Sequence, residues 1–214
     1  MIVTIDGGVA SGKSAVGRRV AQALGLPFVD SGLMYRAITR LAAERGIDPR
    51  DAEAVTRLAE TTEIKIDGER VWAGDVELTD DIYDADYAES LPLISAIPGV
   101  RHALVEQQRR MGQGGVVMAG RDIGTVVFPD ADHKFFLVAS LDEKVRRRAS
   151  QFERRGERVD EEAMRREVEE RDRLDTQRAV APLRPAPDAL VIDTDRLDVD
   201  EVVDAILRHI KTRP

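Results

Sequence analysis

At 214 residues and 43% hydrophobic, the chain is long enough to bury one sizeable core, and at about 100 to 200 residues per domain a single domain with insertions is expected. It has no cysteine, which excludes a disulfide framework, Cys-bound zinc and a redox-active thiol. A formal charge of -8 argues against a general nucleic-acid binder, and no apolar run approaches the roughly 18 residues of a membrane span, so a cytoplasmic chain is expected.

Ile2-Val-Thr-Ile5 reads as a short buried strand, followed by a glycine-containing loop and a helix over Lys13 to Leu24, with Val16, Val20, Ala23 and Leu24 at helical spacing. Pro27 to Asp30 predicts a second strand. The helix after it runs through Met34, Ile38, Leu41 and Ala42 and stops at Gly46. This strand-helix rhythm points to a parallel sheet. Ile64 to Ile66, Arg70 to Trp72 and Val76 to Leu78 break it. They alternate in period two around Asp67-Gly68 and Ala73-Gly74-Asp75, the pattern of a small antiparallel insertion.

Val116 to Ala119, Lys134 to Val138 and Leu190 to Ile192 supply three more strands, for a five-stranded parallel sheet; helical patterns lie near 100 to 112, 142 to 178 and 200 to 210. From Glu143 to Arg178 there are 12 Lys or Arg against 11 Asp or Glu, so arginines are concentrated here in an otherwise acidic chain. The stretch is nearly free of aromatics and has Gly156 midway, which suits a mobile helical hairpin better than core. The Pro-rich segment Pro182 to Pro187 is a loop before the last strand, and the final residues from Lys211 form a frayed tail.

The strongest motif is Gly7-Gly8-Val9-Ala10-Ser11-Gly12-Lys13-Ser14, which fits G-x-x-x-x-G-K-[ST] between a predicted strand and a predicted helix. In such a loop successive backbone N–H groups and the helix N-terminus, up to Ala15 here, surround phosphate oxygens. Lys13 adds a point charge toward the β- and γ-phosphates, and the Ser14 hydroxyl is a candidate ligand for Mg²⁺ that keeps several of its waters. MgATP is therefore the expected cofactor form. The three histidines, His102, His133 and His209, are scattered and give no further metal site.

Three more segments offer anion-binding side chains. Asp30-Ser31-Gly32-Leu33-Met34-Tyr35-Arg36 and Gly120-Arg121-Asp122-Ile123-Gly124-Thr125 each follow a predicted strand, at the ligand edge of a parallel sheet. Arg171, Asp175 and Arg178 stand at i, i+4 and i+7 on one helical face. On spacing alone, Arg171 and Asp175 fit an ordinary surface ion pair equally well.

Taken together and in this order, D-S-G-x-x-Y-R, G-R-D-I-G-T-V-V-F-P and R-D-x-x-D-x-x-R-A-V-A-P-L make the chain resemble the cytidylate kinases over nearly its whole length. The resemblance implies transfer of the γ-phosphoryl of ATP to CMP or dCMP, with Lys13, Arg36, Arg121 and Asp122 as the catalytic set. It implies that Arg36 and Arg121 clamp the acceptor phosphate, that Ser31, Arg171 and Asp175 contact the sugar, and that Arg101, Asp122 and Arg178 address the cytosine. It further implies a P-loop core (1–59, 91–142 and 179–214), a monophosphate-binding insertion (about 60–90) and a lid with its following helix (about 143–178). Arg154, Arg155 and Arg158 would close over the phosphoryl group or pair with Glu153, Glu157 or Glu162. The chain departs from the family pattern at Pro92, where a serine is frequent, and at Leu174, where an arginine is frequent.

The phosphate loop itself is shared with kinases acting on UMP, shikimate or dephospho-CoA, with nucleotide-driven switches and with idle relatives. No N-K-x-D guanine-reading motif occurs, and the expected partners are small nucleotides rather than nucleic acid or membrane, with a monomer as the default state.

Overall fold

The computed structural model describes residues 1–68, 70–79, 82, 83, 87, 89–154, 156 and 158–212. β1 (Ile2–Gly7) is buried on both faces and runs two residues beyond the expected strand, up to the phosphate loop. α1 (Lys13–Leu24) starts where expected and buries Val16, Val20 and Ala21. β2 (Phe28–Asp30) leads directly into α2 (Ser31–Glu44), because the Asp30 side chain accepts from Gly32 N–H at 3.0 Å and caps the helix.

α3 (Ala52–Thr61), capped in the same way by Asp51, has no counterpart in the sequence reading, and the boundary drawn at residue 59 falls inside it. Its apolar stripe is only Val55, Leu58 and Ala59, diluted by Glu53, Arg57 and Glu60. β3 (Ile64–Asp67), β4 (Arg70–Ala73) and β5 (Val76–Glu77) form the antiparallel ribbon. α4 (Ser90–Ala96) was also not expected. It is short, and Pro92 in its first turn reads as a breaker, although proline costs no hydrogen bond there. α5 (Pro98–Met111) starts on its proline.

β6 (Val116–Gly120) is followed by a π-helical turn at Ile123–Val127, then β7 (His133–Val138). α6 (Leu141–Glu153) and α7 (Glu161–Gln177) form a hairpin, and β8 (Leu190–Asp193) and α8 (Val199–Thr212) close the chain.

The five-stranded sheet has the order β2-β6-β1-β7-β8, with every pairing parallel. α1 and α8 cover one face through Val20, Val203 and Ile206 against Val3, Ile5 and Phe135. On the other side, one continuous cluster joins Ile38, Leu58, Ile64, Val71, Ile94 and Leu104, so the antiparallel ribbon is seated on α2 to α5. Each such fully buried aliphatic side chain contributes about 1.5–3 kcal/mol. The hairpin has only a small cluster of its own, Val145, Met164 and Val168, against which Val9 of the phosphate loop packs. This topology puts the C-terminal ends of β1, β2 and β6 side by side, where ligands bind in open parallel sheets.

Candidate active site

The phosphate loop turns out of β1 and into α1. Gly12, immediately before the helix, has φ of 89°, in the left-handed region that glycine enters without strain. Lys13 folds back over the loop, and its Nζ donates to Gly8 O at 3.0 Å. Burial, helped by the neighbouring charge of Arg121, holds its ammonium down to about 7. The Ser14 hydroxyl donates to Asp30 Oδ2 at 2.5 Å, so the carboxylate that caps α2 through one oxygen reaches the phosphate loop through the other.

Behind the loop, Asp6 is buried and accepts from Ile123 N–H at 2.9 Å and Gly124 N–H at 2.8 Å. Burial pushes its carboxyl up to about 7 against the opposing effect of those two amides. The end of β1 and the π-helical turn after Arg121-Asp122 are thereby fastened together.

Across the cleft stands a wall of arginines and carboxylates. Asp122 forms an ion pair with Arg101 and accepts from Arg178 at 3.3 Å, and all three side chains are less than a tenth exposed. Arg101 also donates to Ser95 O at 3.1 Å and lies over the Tyr35 ring at 5.3 Å. Asp175 accepts from Arg121 Nε at 2.7 Å, with Arg171 at 3.6 Å and Arg178 at 3.8 Å. Those neighbours outweigh burial and hold its carboxyl below the usual range. Four guanidiniums against two carboxylates leave the wall with two positive charges in excess. Arg36 adds another, stacked over the Tyr83 ring at 4.8 Å and pulled down to about 10, chiefly by burial.

The cleft between loop and wall holds about 420 Å³. Lys13, Ser14, Ser31, Arg36, Arg101, Arg121, Asp122, Arg171, Asp175 and Arg178 line it, so residues from five separated segments converge on one space. Ser31 presents a hydroxyl whose hydrogen is already donated to Ala119 O at 2.9 Å. Gly7, Gly8 and Ser11 of the loop are not on the cleft wall, and Ser11 is buried.

The hairpin arginines are distributed differently from expectation. Arg154 and Arg158 are exposed and off the cleft wall, and Arg155, with Glu157, lies outside the described residues. Arg148 lines the cleft instead, next to Gln151, with its ring partner Phe152 at 4.9 Å. Its Nε is buried without a hydrogen-bond partner among the described residues, while its terminal nitrogen donates to Glu167 Oε1 at 3.3 Å. Lys144, Arg148 and Gln151 stand at i, i+4 and i+7, a phase that the sequence carries and that reading the segment by charge density misses. Asp30, adjacent to the predicted Ser31, is the other functional position not singled out in advance.

Of the departing residues, Leu174 is exposed. Pro92 is not on the cleft wall, whereas Leu91 and Ser95 are. Among the described residues, no three His, Cys, Asp or Glu side chains converge as a ligand set, and no helix is long and apolar enough to cross a membrane.

A sequence profile described as cytidylate kinase matches residues 3–212. The chain belongs to the cytidylate kinase family. A cytidylate kinase of Pelotomaculum thermopropionicum is 43% identical over 97% of this chain and 95% of its own length. The bifunctional pantoate ligase/cytidylate kinase of Synechococcus sp. (strain JA-3-3Ab) is 46% identical over 97% of this chain, which spans 40% of that relative's length. Among solved structures, an uncharacterised protein from Eubacterium ventriosum superposes with a TM-score of 0.54 at 16% identity, covering 100% of this chain and 99% of that one, a likeness of fold.

Proposed function

We propose that the protein transfers the γ-phosphoryl group of ATP to CMP or dCMP, giving ADP and CDP or dCDP, as its family membership implies. The observation that carries this reading is the wall with two excess positive charges facing the phosphate loop across one cleft, which suits an acceptor bearing a dianionic phosphate.

The triphosphate lies in the loop of residues 7–15, and an oxygen of the acceptor phosphate attacks the γ-phosphorus in line as the bond to the leaving ADP oxygen breaks. No protein nucleophile is required, because catalysis of this step is positioning and charge stabilisation. Arg36 and Arg121 hold the acceptor phosphate, Ser31, Arg171 and Asp175 its sugar, and Asp122, set between Arg101 and Arg178, meets the base. Lys13 and Arg148 face the charge that develops on the phosphoryl oxygens.

The hard oxygens of Ser14 and Asp30 at the loop suit Mg²⁺, which when bound would neutralise phosphate charge there. The antiparallel ribbon with its flanking helices serves as the monophosphate-binding part. The hairpin serves as a lid that excludes water from the phosphoryl group.

Incubation with MgATP and each of CMP, dCMP, UMP, AMP, GMP and shikimate, with product identification, tests the reading. CDP and dCDP are expected to dominate. Preference for another acceptor overturns the base assignment, and no acceptor-dependent ADP release by folded protein overturns the kinase assignment.

Lys13 supplies a second expectation. In the free protein it loses its proton near pH 7, and a bound triphosphate favours the charged form. Affinity for MgATP should therefore fall as pH rises above 7. At about pH 8 binding should take up about one proton, read by titration calorimetry in buffers of different ionisation heat. Flat affinity without proton uptake would show that Lys13 stays charged in the free protein.

A further inference from the structure

The phosphate-loop pattern G-x-x-x-x-G-K-[ST] asks for glycine at Gly7 and Gly12, not at Gly8, and Gly8 does not have a positive φ. A Cβ at Gly8 would stand 2.7 Å from Asp172 Oδ1 and 3.2 Å from Lys144 Nζ. Both atoms belong to the hairpin, Asp172 to α7 and Lys144 to α6, and they pair at 2.5 Å. Asp172 Oδ1 also accepts from the Val9 N–H at 3.1 Å, across 163 residues of sequence. The Val9 side chain meanwhile packs against the hairpin's apolar cluster. The loop is thus gripped at one residue through backbone and side chain, and the neighbouring glycine makes the approach sterically feasible.

We propose that Asp172, neutralised by Lys144, is a positioning residue that latches the hairpin onto the phosphate loop. Lys144 is one turn before Arg148, and Asp172 directly follows Arg171, so the latch sets the register of the two hairpin arginines on the cleft wall. Lys144 is what makes a carboxylate tolerable at the mouth of an anion-binding loop. Without the ammonium it would repel the incoming phosphates. The effect on turnover rests on the kinase reading above; the latch itself does not.

Amide hydrogen exchange followed by NMR tests the latch without any activity. Val9 N–H should be protected in the nucleotide-free protein, and Asp172→Ala should speed its exchange by about tenfold or more, in proportion to the population freed. Asp172→Asn, which retains an acceptor oxygen for Val9 but not the charge for Lys144, should fall between them. Unchanged exchange in Asp172→Ala overturns the latch.

The catalytic arm is a double-mutant cycle. Gly8→Ala and Asp172→Ala should each lower kcat by about 10- to 100-fold through misplaced charges, and KM for the acceptor should rise with it, since Arg171 is one of the groups displaced. The double variant should be no worse than the poorer single, since both remove one contact. Multiplicative losses mean that Gly8 and Asp172 act independently, and the proposal fails. If the unaltered protein forms no CDP, the kinase reading has failed, and the exchange arm still decides the latch.

Discussion

Replacing Lys13 with methionine is expected to lower kcat/KM by about 10³-fold or more, because one preorganised cation facing phosphoryl oxygens carries a large share of charge stabilisation. Loss of fold does not explain such a result. Lys13 is half-buried on the cleft wall, and its ammonium is held well below the ordinary lysine value. Between about pH 7 and the unfolded lysine's value the unfolded chain binds more protons than the folded one. The group therefore weakens the fold at or below pH 7, and this penalty fades as pH rises through that window. Removing the charge should leave the melting temperature unchanged or raised at pH 7 or below. A folded variant with near-normal turnover would sink the assignment of the loop. Lys13→Arg should not restore activity, since the Nζ lies at 3.0 Å from Gly8 O, folded back on a loop that a planar guanidinium cannot meet in the same way.

Asp122→Ala is the substitution expected to do most damage to both stability and activity. It leaves Arg101 and Arg178, whose side chains are 4% and 8% exposed, without their shared carboxylate. Breaking a buried pair from one side costs about 3–5 kcal/mol, because the remaining charge is buried and uncompensated. For a chain of this length that is a melting temperature lower by roughly 6–20 °C. Asp122→Asn separates the two roles. It keeps an acceptor oxygen for one arginine but not the charge for either, so only part of the stability should return, while the carboxylate proposed to meet the base is lost and KM for the acceptor should rise. Thermal melts of both variants, measured beside acceptor titrations, check this. An alanine variant as stable as the parent would show that the arginines find other partners.

The two predictions rest on parts that differ in how far the sequence disclosed them. The phosphate loop was legible because its motif is contiguous and lies between a strand and a helix of unmistakable period. Ile2 to Ile5 and Val16, Val20 and Leu24 mark those elements without ambiguity. The five strands were legible for the same reason, since buried parallel strands read as short apolar runs. The arginine wall was legible residue by residue in the motifs and in the resemblance they carry, but not in its contacts. That Arg101 on α5 would meet Asp122 after β6 and Arg178 after α7 follows from strand order and helix placement, which no local pattern states. α3 and α4 escaped because each is short and amphipathic over about two turns, one thinned by charges and the other carrying Pro92. The hairpin shows the difference between content and phase. Arg154, Arg155 and Arg158 were singled out, yet the helical repeat selects Arg148 for the cleft and turns Arg154 to solvent.

The strand order β2-β6-β1-β7-β8 has one more implication. The phosphate loop issues from the central strand and the segments of Ser31, Arg36, Arg121 and Asp122 from the two strands on one side, while Arg171, Asp175 and Arg178 reach the same cleft from the connection between the two strands on the other. With neighbouring strands about 4.8 Å apart, the sheet acts as a ruler that fixes the distance from donor to acceptor whatever the side chains at either end. The acceptor is thus held from both flanks while the donor loop stands between them, so either set of acceptor side chains can be rewritten with the donor site inherited unchanged, in evolution and in the laboratory.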